Sequence, residues 1–295
     1  GIDGEGGNVM GVAEADVALV SDMPYFAPGY PAVYSSLRGI CYAELRVRTL
    51  DGDLHSGMYG GLAPNAHETL VRMLHKLKAE NGRIRIPGLY DSVARPPKAQ
   101  RELWAKLPSS DTGLRREMGS RALTGIQTHP PLERLWALPT FEIHGISGGF
   151  TGQGAKTVIP AEATAKISLR LVPNQKEREV RRLLKRAVKV VTPSYAKSEL
   201  TFVHGGDPVL VDTDRPAFDS LNAAYEEVEG RTAVEIRSGG SIPIVPALAK
   251  RGAAVVLTGI GLPDDAFHAP NEKLSVDQFL KGIRIYGSFL RRLGA

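Results

Sequence analysis

Apolar residues recur along this chain with two periods, and the switches between them mark its elements. Residues 16–21 (DVALVS) form a continuous apolar run ending in Asp22-Met23-Pro24, which predicts a buried strand opening into a loop. Residues 40–49 (ICYAELRVRT) alternate, the period of a half-buried strand. In PNAHETLVRMLHKLKAENG (64–82), Leu70, Met73, Leu74 and Leu77 share one stripe, with Pro64 near the start and Gly82 past the end, so a helix is expected. From 83 to 138 the pattern is irregular and punctuated by prolines; loops are expected, with short helices near 98–106 and 111–119. TFEIHGISGG (140–149) and KTVIPAEATAKISLRLVP (156–173) read as two strands, the second long and alternating. A helix over 175–192 and a strand over 199–204 follow.

Past Gly205 strands and helices alternate: helix 215–229, strand 233–236, helix 242–251, strand 253–258 and a final helix from Ser275. Ser275 and Gln278 have the spacing of a capping box, and Val276, Phe279, Leu280, Ile283, Tyr286 and Leu290 form the stripe expected to be buried. The expected fold is an α/β domain, present in part, interrupted by a two-layer α+β domain with one helical face. The expected segments are 1–37, 38–205 and 206–295.

Composition changes this picture little. The 295 residues are 42% hydrophobic and 23% charged, values of an ordinary globular chain. The 37 Lys and Arg exceed the 32 Asp and Glu, and part of the excess lies in Lys176, Arg178, Arg181, Arg182, Lys185, Arg186 and Lys189. Val180, Leu183, Leu184, Ala187, Val188 and Val191 interleave with them at helical spacing, which makes a solvated basic face of an amphipathic helix. No nucleic-acid partner is expected. No apolar run approaches the ~20 residues of a membrane span, and no membrane partner is expected either. The single cysteine, Cys41, fits a reducing, cytoplasmic setting.

Three segments carry candidate chemistry. Asp53 to Gly61 (DLHSGMYGG) and Asp264 to Glu272 (DDAFHAPNE) each place a histidine in a loop beside acidic or glycine residues. Arg237 to Pro243 (RSGGSIP) turns towards an expected helix start, where free N–H groups favour an anion. Spacing alone leaves each open to a plain turn.

DLHSGMYGGLAPNA, however, resembles the lid signature of the metallopeptidase family that includes cytosolic nonspecific dipeptidase, carnosinase, aminoacylase and succinyl-diaminopimelate desuccinylase. LRGICYAELRV, GGFTGQGAKTVIPAEATAKISLRLVP, GGSIPIVPAL and AFHAPNEKLSVDQFLKGI are similar to that family in the same order, nearest its dipeptidase branch. The resemblance implies two divalent metal ions, zinc with manganese or cobalt as alternatives, and a homodimer formed through the lid. It implies that Asp22 ligates one metal and His268 the other, and that His55 reaches into the partner subunit to hold the oxyanion. Thr157 and Arg170 match positions that hold the substrate carboxylate, and Ser241 matches a further substrate contact. The implied substrate is a dipeptide or an N-acyl amino acid.

The departures matter equally. The family's His-x-Asp motif, bridging aspartate and Glu-Glu pair have no counterpart here: no histidine is followed two places on by aspartate, and the one Glu-Glu, Glu226-Glu227, lies in an expected helix. Glu5 stands near the expected position of the pair without a partner and takes no role. Ser238 stands where many dipeptidases carry glutamate. The chain is therefore expected to lack the N-terminal part of the catalytic domain and to be inactive alone, as part of an enzyme or as a non-catalytic dimerising remnant.

Overall fold

The computed structural model describes residues 15–294 except Asp214, Ser241 and Pro243, so Glu5 and Ser241 lie outside the described residues. The chain divides into two compact units: the larger comprises 36–210 and 237–241, the smaller the residues up to 35, 211–236 and those from 242 on. In chain order, β1 (Val17–Ser21), β2 (Ala32–Leu37), β3 (Gly39–Arg48), β4 (Leu54–His55), α1 (Ser56–Tyr59) and α2 (Ala66–Leu77) come first. The proline-rich stretch holds α3 (Lys98–Ala105), α4 (Asp111–Glu117) and α5 (Pro131–Ala137). Then come β5 (Thr140–Gly148), β6 (Val158–Ile159), β7 (Glu162–Leu171), α6 (Glu177–Val191), β8 (Lys197–Gly206) and β9 (Val209–Leu210). The last elements are α7 (Pro216–Glu229), β10 (Val234–Arg237), α8 (Val245–Lys250), β11 (Ala254–Thr258) and α9 (Val276–Leu293).

The larger unit is an α+β two-layer structure built on the antiparallel sheet β5-β7-β3-β8. Strand alternation sorts its faces. Cys41, Ala43, Leu45 and Val47 of β3 and Ala163, Ala165, Ile167 and Leu169 of β7 are buried in one core. That core is closed by Leu70, Met73, Leu74 and Leu77 of α2 and by Val180, Leu184, Ala187 and Val188 of α6, the stripes read from the sequence. The Asn65 side chain caps α2 by accepting from the N–H groups of His67 and Glu68. On α6 the basic residues face outward, and Arg182 pairs with Glu179 one turn back.

The expected long strand over 156–173 breaks in two. Pro160 has no N–H to give a ladder, and the Ala161 N–H turns instead to the Asp53 carboxylate, 2.9 Å away. β6 therefore leaves the main sheet and pairs with β4. β4 and α1, in a segment read as a loop, also escape the sequence reading, as do three others. β2 is wholly buried but includes Ser35 and Ser36, β9 has two residues, and α5 begins at the second of two prolines that read as loop.

In the smaller unit β1 runs parallel to β11, from Val17 opposite Ala254 to Ser21 opposite Thr258. The expected buried stripe of α9 is wrong. Ile285 and Phe289, with Gln278, Gly282 and Ser288, face inward, whereas Val276, Phe279, Leu280, Ile283 and Leu290 are exposed and Tyr286 is half-buried. Close packing selects the small residues: a Cβ on Gly282 would stand 2.7 Å from the Ile260 side chain. The capping box is half made, because Ser275 Oγ accepts from Gln278 N while the Gln278 amide donates to Ile260 O. α8 starts at Val245, not near residue 242.

Candidate active site

His55 ends β4 and caps α1. Its Nδ1 accepts from the Gly57 N–H at 3.0 Å. In the neutral ring that bond leaves the proton on Nε2, which becomes a donor directed away from the backbone. Two contacts fix the loop behind it. His55 is opposite Val158 in the β4–β6 ladder, and Ser56 N donates to Thr157 O at 3.0 Å. The structure thus brings His55, at the end of β4, close to Thr157, which immediately precedes β6, both exposed.

Arg170 lies on the helix-free face of β7, opposite Ile40 on one side and Thr140 on the other. It is half-buried beside a second cation that the sequence reading missed. Arg38 is buried, and its guanidinium donates to the carbonyls of Arg134 and Leu138. Burial first, and the positive charge of Arg170 second, push its pKa down to about 10. A guanidinium so placed stays charged at neutral pH, so a carboxylate beside Arg170 would be drawn by both cations.

Two residues along β7 the same face carries an aromatic stack. Tyr42 lies between His144 and His204, with ring centroids 5.3 Å and 5.0 Å apart, and His144 Nε2 meets Ser168 Oγ at 2.8 Å. Strand parity could have placed Tyr42 and Ser168 on this face, but His144 is itself the bulged residue at the shift in the β5–β7 register. The glycine loop after β5 is set by Gly148. At its φ of 135° a side chain is strained, and a Cβ would meet Glu162 O and His67 Nε2 at 2.6 Å.

In the smaller unit Asp22 follows β1, exposed, with its N–H bonded to Thr258 O at 3.1 Å. Gly259 permits this approach, since a Cβ there would fall 1.7 Å from Met23 O. His268 is exposed in the loop after β11, where Ala266, His268 and Asn271 all have positive φ. Non-glycine residues hold such angles only when their surroundings dictate them, and such strain gathers at functional sites. Buried Asp265 supplies the constraint, its Oδ2 accepting from Leu262 N at 2.7 Å and its carbonyl from Lys273 N at 3.0 Å.

The expected anion site near Gly239-Gly240 is not formed as a helix start. α8 begins beyond it, and the Gly240 N–H is taken by Ser238 Oγ at 2.9 Å. Glu226 and Glu227 lie on the exposed face of α7, Glu227 bonded to Ser288 and Arg292. As metal donors, Asp22 and His268 are of the carboxylate and imidazole types that zinc takes. They fall short in number: about three protein ligands make a catalytic zinc site, and no group of three or more His, Cys, Asp or Glu among the described residues could hold an ion.

The chain matches the peptidase dimerisation domain over residues 35–196 and peptidase family M20/M25/M40 over residues 116–292. It belongs to the M20 peptidase family. Among M20 relatives, the Cys-Gly metallodipeptidase dug1 of Schizosaccharomyces pombe is 34% identical over 287 residues, covering 96% of this chain and 60% of that protein. The Beta-Ala-His dipeptidase of Homo sapiens is 28% identical over 278 residues, covering 93% and 55%. The structure of the dipeptidase Dug1p from Saccharomyces cerevisiae matches with a TM-score of 0.80 and 29% identity, over 94% of this chain and 59% of that one. The chain thus spans about three-fifths of the length of these M20 relatives. No helix among the described residues is long and apolar enough to cross a membrane.

Proposed function

We propose that this chain is the lid and part of the catalytic domain of a metal-dependent dipeptidase that works as a homodimer in the cytoplasm. The observation that carries this reading is the fixed His55 ring. Its Nδ1 is occupied by Gly57, so Nε2–H is presented as a donor, and the bond from Ser56 N to Thr157 O holds Thr157 near the same loop. In the proposed site Arg170 and Thr157 hold the substrate's terminal carboxylate, with Arg38 adding positive field, and Ser241 makes a further contact. The Nε2–H of His55, from the partner subunit, stabilises the oxyanion that develops on the scissile carbonyl. Asp22 and His268 would each give one ligand to a pair of metal ions, proposed to be zinc. Bound metal supplies carbonyl polarisation and a hydroxide nucleophile near neutral pH.

The test joins residues 1–295 to a segment carrying the His-x-Asp and Glu-Glu motifs of an M20 dipeptidase. That polypeptide is expected to hydrolyse dipeptides with added zinc or manganese and to lose the activity with chelator. Residues 1–295 alone are expected to show none; metal-dependent turnover by the shorter polypeptide would contradict the proposed division of ligands.

Ser238 favours a second reading, an N-acyl amino acid amidohydrolase. It stands where many dipeptidases carry glutamate, and its hydroxyl is occupied by Gly240 N, so it offers a substrate amine no countercharge. A kcat/KM higher for N-acetyl amino acids than for the matching dipeptides would select that activity.

We propose that the dimer contact is made by β5 and α2. β5 is an edge strand with Ile143 and Ile146 exposed, and α2 exposes Val71, an apolar edge of the kind that pairs with another chain. Ile143→Asp with Ile146→Asp is expected to give a folded monomer in sedimentation velocity where the unaltered protein sediments as a dimer. A dimer unchanged by both aspartates would move the interface elsewhere.

A further inference from the structure

The antiparallel sheet of the larger unit has two edges, β5 and β8. The proposed dimer uses β5 and leaves β8 open. Residues 197–202 of β8 run in unbroken register with β3, from Lys197 opposite Arg48 to Phe202 opposite Ala43, and the irregularity comes only beyond them. No strand lies on the other side of β8 among the described residues, so a regular row of N–H and C=O groups faces outward. Beside this edge, α6 and β8 enclose a groove of about 610 Å³, lined by Val188, Ala196 and Leu200 and by the side chains of Arg182, Lys185, Arg186 and Lys189. Within it Thr192 Oγ1 and Ser198 Oγ, 2.7 Å apart, join the helix to the strand. No carboxylate lines the groove. Arg182 pairs with Glu179, but Lys185, Arg186 and Lys189 have no ion-pair partner among the described residues. Glu199 stands on the opposite face of the strand, across from Arg46.

An open strand edge and a row of unpaired cations together define the occupant. We propose that β8 and α6 dock an acidic, extended segment of another protein, which adds to the sheet as a strand and turns Asp or Glu at alternate positions into the groove. The spacings agree. Lys185 and Lys189 are about 6 Å apart along the helix axis, and alternate residues of a strand are about 6.6 Å apart. A nucleic acid or an anionic membrane would answer the charge and leave the outer N–H and C=O groups of β8 unbonded. A second copy of β8 would answer the edge, but a two-fold pairing would set two basic helices side by side on one face of the joined sheet and oppose like charges. The site lies within the larger unit and uses no metal or substrate.

The test titrates residues 1–295 against a fluorescent peptide alternating Glu with Thr, read by anisotropy, with the peptide alternating Lys with Thr as control. Saturable one-to-one binding of the acidic peptide is expected. Lys185→Glu with Lys189→Glu should weaken it about 10-fold or more, since each exposed pair is worth little but each reversal adds repulsion to the lost attraction. Both side chains are exposed, so the circular dichroism should not change. Should that variant misfold, Lys185→Gln with Lys189→Gln reads a smaller loss. Two further peptides, N-methylated at every Glu or at every Thr, separate strand addition from charge. Alternate amides of a strand point to opposite sides, so only one form loses the donors that bond β8, and the two should differ about 10-fold or more. Two forms that bind alike overturn the proposal. So do absence of binding, equal binding of the Lys peptide, indifference to Lys185 and Lys189, or tighter binding of oligouridylate or phosphatidylserine vesicles than of the peptide. A peptide that binds only by splitting the dimer overturns it as well, because β8 would then be the dimer contact.

Discussion

His55→Ala, in the polypeptide that carries the restored metal ligands, is expected to lower kcat about 10²–10³-fold while metal content stays unchanged. The size follows from removing one preorganised donor to a developing oxyanion. The bond from Gly57 N to Nδ1 fixes which nitrogen donates, so the loss should fall on kcat more than on KM. His268→Ala makes the contrast, with loss of bound metal by elemental analysis. If His55→Ala instead strips metal, or leaves kcat within a few fold, the ring is a ligand or a turn residue and the proposed role fails.

Arg170→Ala is expected to lower kcat/KM for a dipeptide about 10²-fold, at the upper end for a hydrogen bond to a charged group. The same change should cost far less on the corresponding dipeptide amide, which has no terminal carboxylate to hold. Arg170→Lys should recover only part of the loss, since an ammonium cannot reproduce the paired bonds of a guanidinium. Equal losses on acid and amide would mean that Arg170 shapes the sheet face without reading the carboxylate. Arg38, buried and charged next to it, would make that outcome intelligible as a disturbed pair of cations.

The sequence spoke most clearly where one helix meets one sheet. Leu70, Met73, Leu74 and Leu77 on α2 and the odd positions of β3 are both periodic and buried, because a single layer of neighbours covers them. It misled on α9, where the apolar period marks a helix correctly but not the side that packs within the unit. Gly282 and Ser288 take the inward side because close approach to neighbouring side chains needs small residues, which carry no hydrophobic signal. The break at Pro160-Ala161 was not read from the sequence, where one long strand is expected, and its consequence, β6 pairing with β4 beside His55, depends on Asp53, more than a hundred residues earlier.

The candidate site divides in the same way. His55, Thr157, Arg170, Asp22 and His268 stand in motifs that resemblance picks out, and nothing in local periodicity would have raised them above turn residues. Arg38 and the Tyr42, His144 and His204 stack were missed because they become neighbours only through strand register, including a bulge in β5.

His55 is proposed to complete a site on the other subunit of a dimer, and subunit exchange tests this directly. Two separately inactive full-length proteins, one His55→Ala and one His268→Ala, are mixed under conditions of demonstrated subunit exchange, and dipeptide hydrolysis is followed. In a hybrid dimer one site keeps its own His268 and receives an intact His55 from its partner, while the other site has neither. Random exchange makes half the dimers hybrid, so activity is expected to rise to about a quarter of the unaltered enzyme's. Activity that stays at the level of the separate variants, with exchange proven, would contradict a site built from both chains.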